Sequence, residues 1–270
     1  MVGAGPQAPS PPVLELSEVM VPGRGQPRLQ NIDLLLHAGE RVALLGASGS
    51  GKSTLLAVAN GLIQPKRGQV LWHGEQRAKS RRRLRRQQAR IGTLWQDLRL
   101  IEELTVQQNL NAGRLSHWGW PRGILNLLLP LETEACIHVL RSVNLEPSLL
   151  NQSVEGLSGG QRQRVALGRL LRQDPVLWLA DEPLASLDPS LAKQVLQLLL
   201  SQTAAPKALL LSLHRPDLLT GFDRVIGLRA GQVVLDQTMA RVDERAVADL
   251  YSTTAEPRSD RNRAAITVPR

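Results

Sequence analysis

The sequence predicts an α/β fold in which a β-rich body carries an inserted helical lobe. Three observations point to it. A glycine-rich loop at 46–54 joins a short apolar run at 41–45 to a helical pattern. Two further runs, 176–180 and 208–213, are apolar without alternation and read as strands buried on both faces, as in a parallel sheet. Between Asp97 and about Pro175 the pattern turns mostly helical, clearest at 106–115, 132–143 and 161–172.

Bulk properties narrow the partners. The 270 residues suffice for a full core, and 33 basic against 24 acidic residues give a net charge of +9. That excess points to an anionic partner: nucleotide, nucleic acid or membrane surface. Cys136 is the single cysteine, which excludes an internal disulfide and a cysteine metal cluster and fits a reducing cytoplasm. No run approaches the eighteen or so apolar residues that span a bilayer. The longest, 124–131, is interrupted by Asn126 and Pro130. The start of the chain has neither the basic region nor the apolar region of a secretion signal, so a soluble or peripheral protein is expected.

Taken in order, residues 1–12 contain Pro6, Pro9, Pro11 and Pro12 and read as a disordered lead. Strand patterning begins at Val13 and returns at 29–36, after the turn Pro22-Gly23-Arg24-Gly25. A turn at 64–68 leads into a short strand at 69–72. Residues 79–90, with Arg81-Arg82-Arg83-Leu84-Arg85-Arg86 at their centre, read as a solvated helix touching the body through Leu84. Without interleaved aromatics the run makes a poor nucleic-acid platform, although its potential attracts acidic headgroups. Residues 91–96 form a strand ending in Gln96, 190–201 a helix, and 224–236 two strands of a terminal hairpin. From about Thr253 the chain becomes an Arg- and Pro-rich flexible tail. The division expected is a domain at 13–252, with a core at 13–96 and 176–240 and a helical subdomain at 97–175.

The loop Gly46-Ala47-Ser48-Gly49-Ser50-Gly51-Lys52-Ser53-Thr54 is G-x-x-x-x-G-K-[ST] between a strand and a helix. Its glycines let successive amides turn inward as an anion nest, and the helix N-terminus adds positive potential at the same point. Lys52 is expected to reach the β- and γ-phosphates of a nucleoside triphosphate, and Ser53 to ligate Mg²⁺. A second element is Asp181-Glu182 after the apolar run 176–180. Asp181 is expected to hold Mg²⁺ and Glu182 to polarise the attacking water. A third is Leu157-Ser158-Gly159-Gly160-Gln161, a glycine turn with Ser158 as N-cap, opening a helix whose terminus can bind a second anion.

At this point the chain resembles the ATP-binding subunits of ABC transporters, whose signature is Leu-Ser-Gly-Gly-Gln. The resemblance runs over 13–236. It implies a P-loop NTPase (RecA-like) core with an antiparallel β subdomain and an inserted helical subdomain. It also implies ATP and Mg²⁺ as cofactors, Gln96 as the Q-loop glutamine near the metal, Ser186-Leu187-Asp188 as the D-loop, and His214 as the switch histidine. The aromatic on which the family often stacks adenine has no counterpart near Val21, since 13–41 contains no aromatic residue. The segments Asn109-Leu110-Asn111-Ala112-Gly113-Arg114-Leu115, 179–189, 213–218 and 222–231 are similar to those of phosphonate-type importers.

The phosphate loop supplies donors to one side of a triphosphate only, so two chains are expected to pack about a two-fold axis with ATP between them. Lys52, Gln96, Glu182 and His214 would come from one chain, and Ser158, Gly160 and Asp188 from the other. The resemblance implies two membrane permease subunits gripped near Gln96, an indirect link to a periplasmic solute-binding protein, and a peripheral place on the cytoplasmic face of the plasma membrane. Two other readings share the motifs: an ABC exporter or lipoprotein-release ATPase, and a soluble ABC ATPase acting on nucleic acid through 81–86. The second fits less well, because the chain has one cassette and no sustained heptads.

Overall fold

The computed structural model describes residues 11–185 and 187–251. In chain order the strands and helices are β1 (Leu14–Val21), β2 (Leu29–Leu36), β3 (Arg41–Leu45), α1 (Lys52–Asn60), β4 (Arg67–Trp72), β5 (Glu75–Gln76) and α2 (Arg81–Ala89). Then come β6 (Ile91–Leu94), α3 (Val106–Ala112), α4 (Trp120–Leu128), α5 (Thr133–Ser142), α6 (Gly159–Gln173) and β7 (Leu177–Asp181). The chain continues through α7 (Pro189–Ser201), β8 (Ala208–Ser212), β9 (Arg224–Arg229), β10 (Gln232–Thr238) and α8 (Glu244–Asp249).

The strands form two sheets. An antiparallel sheet has the order β2-β1-β4-β5; a six-stranded sheet has the order β10-β9-β3-β8-β7-β6. In the larger sheet β9, β3, β8, β7 and β6 run parallel, and only β10 turns back. The apolar, non-alternating runs owe their composition to this position, since both faces are covered. Along β3, Val42 and Leu44 point into one core with the antiparallel sheet and α1, while Ala43 and Leu45 point into the other with α6 and α7. Trp178 and Ala180 of β7 face the second core, Leu177 and Leu179 the first. The period of two thus splits one strand's side chains between two layers.

Helices α3 to α6 make the lobe between β6 and β7. Helix α6 carries most of its packing, burying Val165, Ala166, Leu167 and Leu170. The structure departs from the sequence reading in three places. The strand before Gln96 stops at Leu94, and Gln96 itself sits in a turn. The loop helix begins at Lys52, so Lys52 to Thr54 belong to its first turn. The interrupted run 124–131 overlaps a helix, α4, whose apolar residues mostly face outward. The expected lead at 1–10, the tail from 253 and Ser186 of the D-loop lie outside the described residues.

Candidate nucleotide site

The site stands on the carboxyl ends of four adjacent parallel strands. β3 runs into the phosphate loop, β8 leads to His214, β7 ends at Asp181, and β6 is followed by Gln96. In open α/β sheets this edge is where ligands bind. A cleft of about 520 Å³ opens there, lined by Ser48, Gly49, Gly51, Lys52, Ser53, Thr54, Gln96 and Glu182, and also by Gly23, Arg24, Gln26, Pro27 and Arg28 of the turn after β1.

The phosphate loop needs its glycines for steric reasons. Gly46 has φ +147, and a Cβ there would lie 2.3 Å from the Leu228 carbonyl oxygen. Gly51 caps α1 with φ +110, and a Cβ would approach the Arg28 carbonyl oxygen to 2.9 Å. Because Gly51 has no side chain to cap the helix, the first-turn amides of α1 stay open to an anion. Lys52 is only 4% exposed, and its Nζ donates to the carbonyls of Gly46 at 2.7 Å and Ala47 at 3.3 Å. Its Nζ also lies 3.7 Å from Glu182 Oε1. Burial lowers the Lys52 pKa from its ordinary value, opposed by the charges of Glu182 and Asp181.

Glu182 sits at φ +49, a left-handed conformation that a non-glycine residue keeps only when its surroundings hold it. One holder is Ser212, the last residue of β8, fully buried. Its hydroxyl donates to Asp181 Oδ1 at 2.9 Å and accepts the Glu182 amide at 2.9 Å. The His214 Nε2 approaches Glu182 Oε1 on the other side. Lys52, Glu182 and His214 therefore form one contact chain, as the sequence reading grouped them.

The remaining predicted residues, Ser158, Gly159, Gly160, Gln161, Asp181 and Asp188, do not line the cleft. Ser158 and Gln161 cap each other: the Ser158 amide donates to Gln161 Oε1 at 2.9 Å, and Ser158 Oγ accepts the Gln161 amide at 3.3 Å. A Cβ added at Gly159 or Gly160 would meet nothing within 4 Å, so this turn faces open space. Asp188 is exposed and caps α7, accepting the amides of Ser190 and Leu191. Asp181, 4% exposed, is engaged by Ser212.

Three residues at the site escaped the sequence reading. Ser212 looked like the end of an apolar strand, and only the pairing of β7 with β8 brings it to Asp181. Gln163 of α6 donates from Nε2 to the Pro183 carbonyl, fastening the signature helix to the turn after Glu182. Tyr251 places near Gly46 and Glu182 a buried hydroxyl with no hydrogen-bond partner among the described residues; burial raises its pKa from the ordinary value. The spacing of none of these carries a signal.

A Mg²⁺ site is testable on donor chemistry. Ser53 and Gln96 both line the cleft and offer neutral oxygen, and Asp181 offers a carboxylate, a hard-oxygen set that suits Mg²⁺. Among the described residues no group of three or more His, Cys, Asp or Glu could hold a metal by itself. A cation here would need phosphate oxygens to complete its shell, and the residues fit that arrangement.

A phosphate loop at a parallel-sheet edge, with an acidic pair at the carboxyl end of the next strand but one, defines a P-loop nucleoside triphosphatase. The ABC transporter family model matches residues 29–185. Among relatives, the chain is 42% identical over 239 residues to phosphonates import ATP-binding protein PhnC 1 of Pseudomonas aeruginosa, covering 86% of this chain and 88% of that one. It is 38% identical over 226 residues to phosphonates import ATP-binding protein PhnC of Wolinella succinogenes, covering 83% and 82%. Among solved structures, the dimeric ATP-binding cassette MJ0796 in a post-hydrolysis state bound to ADP and Pi aligns at TM-score 0.74 and 28% identity, covering 84% of this chain and 98% of that one. A second dimeric structure of the same cassette gives 0.74 and 27%. The chain belongs to the ABC transporter family. It is an ATP-binding cassette that hydrolyses ATP in support of transport.

Proposed function

We propose that this chain is the ATP-hydrolysing subunit of a phosphonate importer, working as a pair of identical cassettes on the cytoplasmic face of the membrane beneath two permease subunits. The import direction and the solute class come from the names of its relatives, since no residue of the nucleotide site recognises the cargo. A periplasmic solute-binding protein would deliver that cargo. The observation that carries the two-chain reading is the separation of the motifs. Lys52, Gln96 and Glu182 line one cleft, while the Ser158–Gly160 turn is exposed and outside it. This separation supports a reading in which the remaining donors for a triphosphate come from a second copy.

In this reading the open amides of the phosphate loop and Lys52 Nζ hold the β- and γ-phosphates. Arriving phosphate oxygens take the Lys52 hydrogen bonds now made to Gly46 and Ala47. Glu182, fixed through Ser212, orients a water for attack on the γ-phosphorus, and His214 holds the Glu182 carboxylate in place. Ser53, Gln96 and Asp181 would hold Mg²⁺, which when bound neutralises phosphate charge. Arg24 and Pro27, which also line the cleft, would support the base where the family uses an aromatic; a guanidinium plane stacks on a purine. The lobe boundaries proposed are 97 and 175. Closure over ATP and opening after hydrolysis would drive the permease.

Glu182→Gln tests the catalytic half. ATP binding should persist and pair the chains, while kcat falls by at least about a hundredfold, the range of general-base losses. Near-normal hydrolysis would remove Glu182 from the role.

A further inference from the structure

Helix α4 is built inside out. It is nine residues long, and its one buried residue is polar, Asn126, at 4% exposure. Its large apolar side chains face solvent: Trp120 is 79% exposed, Leu128 74%, and Ile124 and Leu127 are each about half exposed, as is Leu129 just beyond. This is no loose segment. Asn126 Oδ1 accepts from Asn111 Nδ2 at 2.9 Å, and the Leu127 carbonyl accepts from Gln108 Nε2 at 3.1 Å. Arg122 donates to Glu132 Oε1 at 2.8 Å. Directed polar bonds underneath hold an apolar surface outward, which is costly in water unless something apolar covers it.

Its surroundings identify the cover. Residues 105–131 contain no Asp or Glu, and neither do 77–96. The second segment includes α2, where Arg81, Arg82, Arg83, Arg85 and Arg86 are all exposed. A groove of about 530 Å³ joins the two helices, with Arg85 and Gln88 on one wall and Leu115, Trp118 and Trp120 on the other. An apolar helix with a tryptophan at one end, beside a helix of exposed arginines, complements an acidic bilayer surface: acyl chains for one, headgroup phosphates for the other. At nine residues α4 is too short to cross a bilayer and long enough to lie in its interface.

We propose that α4 and α2 together form a lipid-docking surface, α4 lying in the headgroup–acyl boundary of an anionic membrane and α2 binding its phosphates. This contact is separate from ATP hydrolysis and from any permease.

The test is flotation of the purified full-length protein with permease-free vesicles, either phosphatidylcholine alone or phosphatidylcholine with about one-third phosphatidylglycerol. The wild type should float with acidic vesicles and far less with neutral ones, and 0.5 M salt should weaken binding only in part. The double substitution Ile124→Asp/Leu128→Asp should lower the bound fraction roughly tenfold or more. Arg82→Glu/Arg85→Glu should abolish the preference for acidic vesicles. Both variants should retain wild-type ATPase activity, which shows that they fold. Failure of the wild type to bind acidic vesicles, or equal binding by the Asp variant, overturns the proposal. So does binding only when permease is present, which would assign the surface to the permease. A mass doubling of the wild type without nucleotide, abolished by the Asp pair and without vesicle binding, would assign it to self-association and also overturn the proposal.

Discussion

Ser212 does more at the site than its small side chain suggests. One hydroxyl, at the end of β8, satisfies both the Asp181 carboxylate and the strained Glu182 amide. Ser212→Ala leaves a buried amide and a buried carboxylate each short of a partner, which costs about 1–3 kcal/mol. It should also let Glu182 relax from its left-handed conformation. The expected outcome is a lower Tm together with a kcat loss at unchanged ATP affinity, read by calorimetry and steady-state kinetics. A stability loss with normal kcat would confine Ser212 to the scaffold. Arg24→Ala tests the base wall: KM for ATP should rise several-fold with kcat nearly unchanged, the pattern of lost uniform binding. Neither residue was visible beforehand, for the same reason. Ser212 matters through a cross-strand partner, and Arg24 through the cleft it faces, and neither relation is a spacing along the chain.

At the scale of elements, the helical lobe is pinned by a charged junction as well as by α6. Glu132 precedes α5, and its carboxylate accepts from Arg172 of α6 at 2.5 Å and from Arg122 of α4 at 2.8 Å. The Arg172 hydrogen bond is the largest cause holding Glu132 below the usual carboxylate range. The folded-state pKa is therefore depressed. The stabilisation it brings is fully present above the ordinary carboxylate value and is lost as pH falls through the depressed one. Glu132→Gln should thus lower Tm at neutral pH, and the two proteins should converge in acid; a constant gap across pH would contradict the linkage. Elements were legible where local pattern and burial agree. The run 41–60 reads as strand, loop and helix because adjacent residues carry all three signals. α4 was not legible, because its apolar residues face away from the core and mimic an interrupted buried run.

For the whole molecule, the parallel order β3-β8-β7-β6 explains why motifs scattered from 46 to 214 meet at one edge. Each motif follows its strand's carboxyl end, so adjacent strands place adjacent motifs. The signature turn is the exception. It opens α6 on the inserted lobe and lies outside the cleft; the sequence reading assigned it to the site of a second copy. In the proposed reading that displacement is the physical basis for a two-chain machine. It would also make nucleotide binding and pairing one event, and isolated cassettes should then show ATPase activity that rises more steeply than in proportion to protein concentration.

The most direct measurement is an inter-chain cross-link between the phosphate loop of one copy and the signature turn of another. A Ser48→Cys chain and a Ser158→Cys chain, both also carrying Glu182→Gln, are mixed with ATP and oxidised at neutral pH. Native Cys136 can remain, since it is buried and its thiol is pushed up to about 11. The account predicts a disulfide-linked dimer that forms with ATP, and does not form without nucleotide or with either chain alone. Absence of the hybrid dimer under conditions where ATP is bound would contradict it.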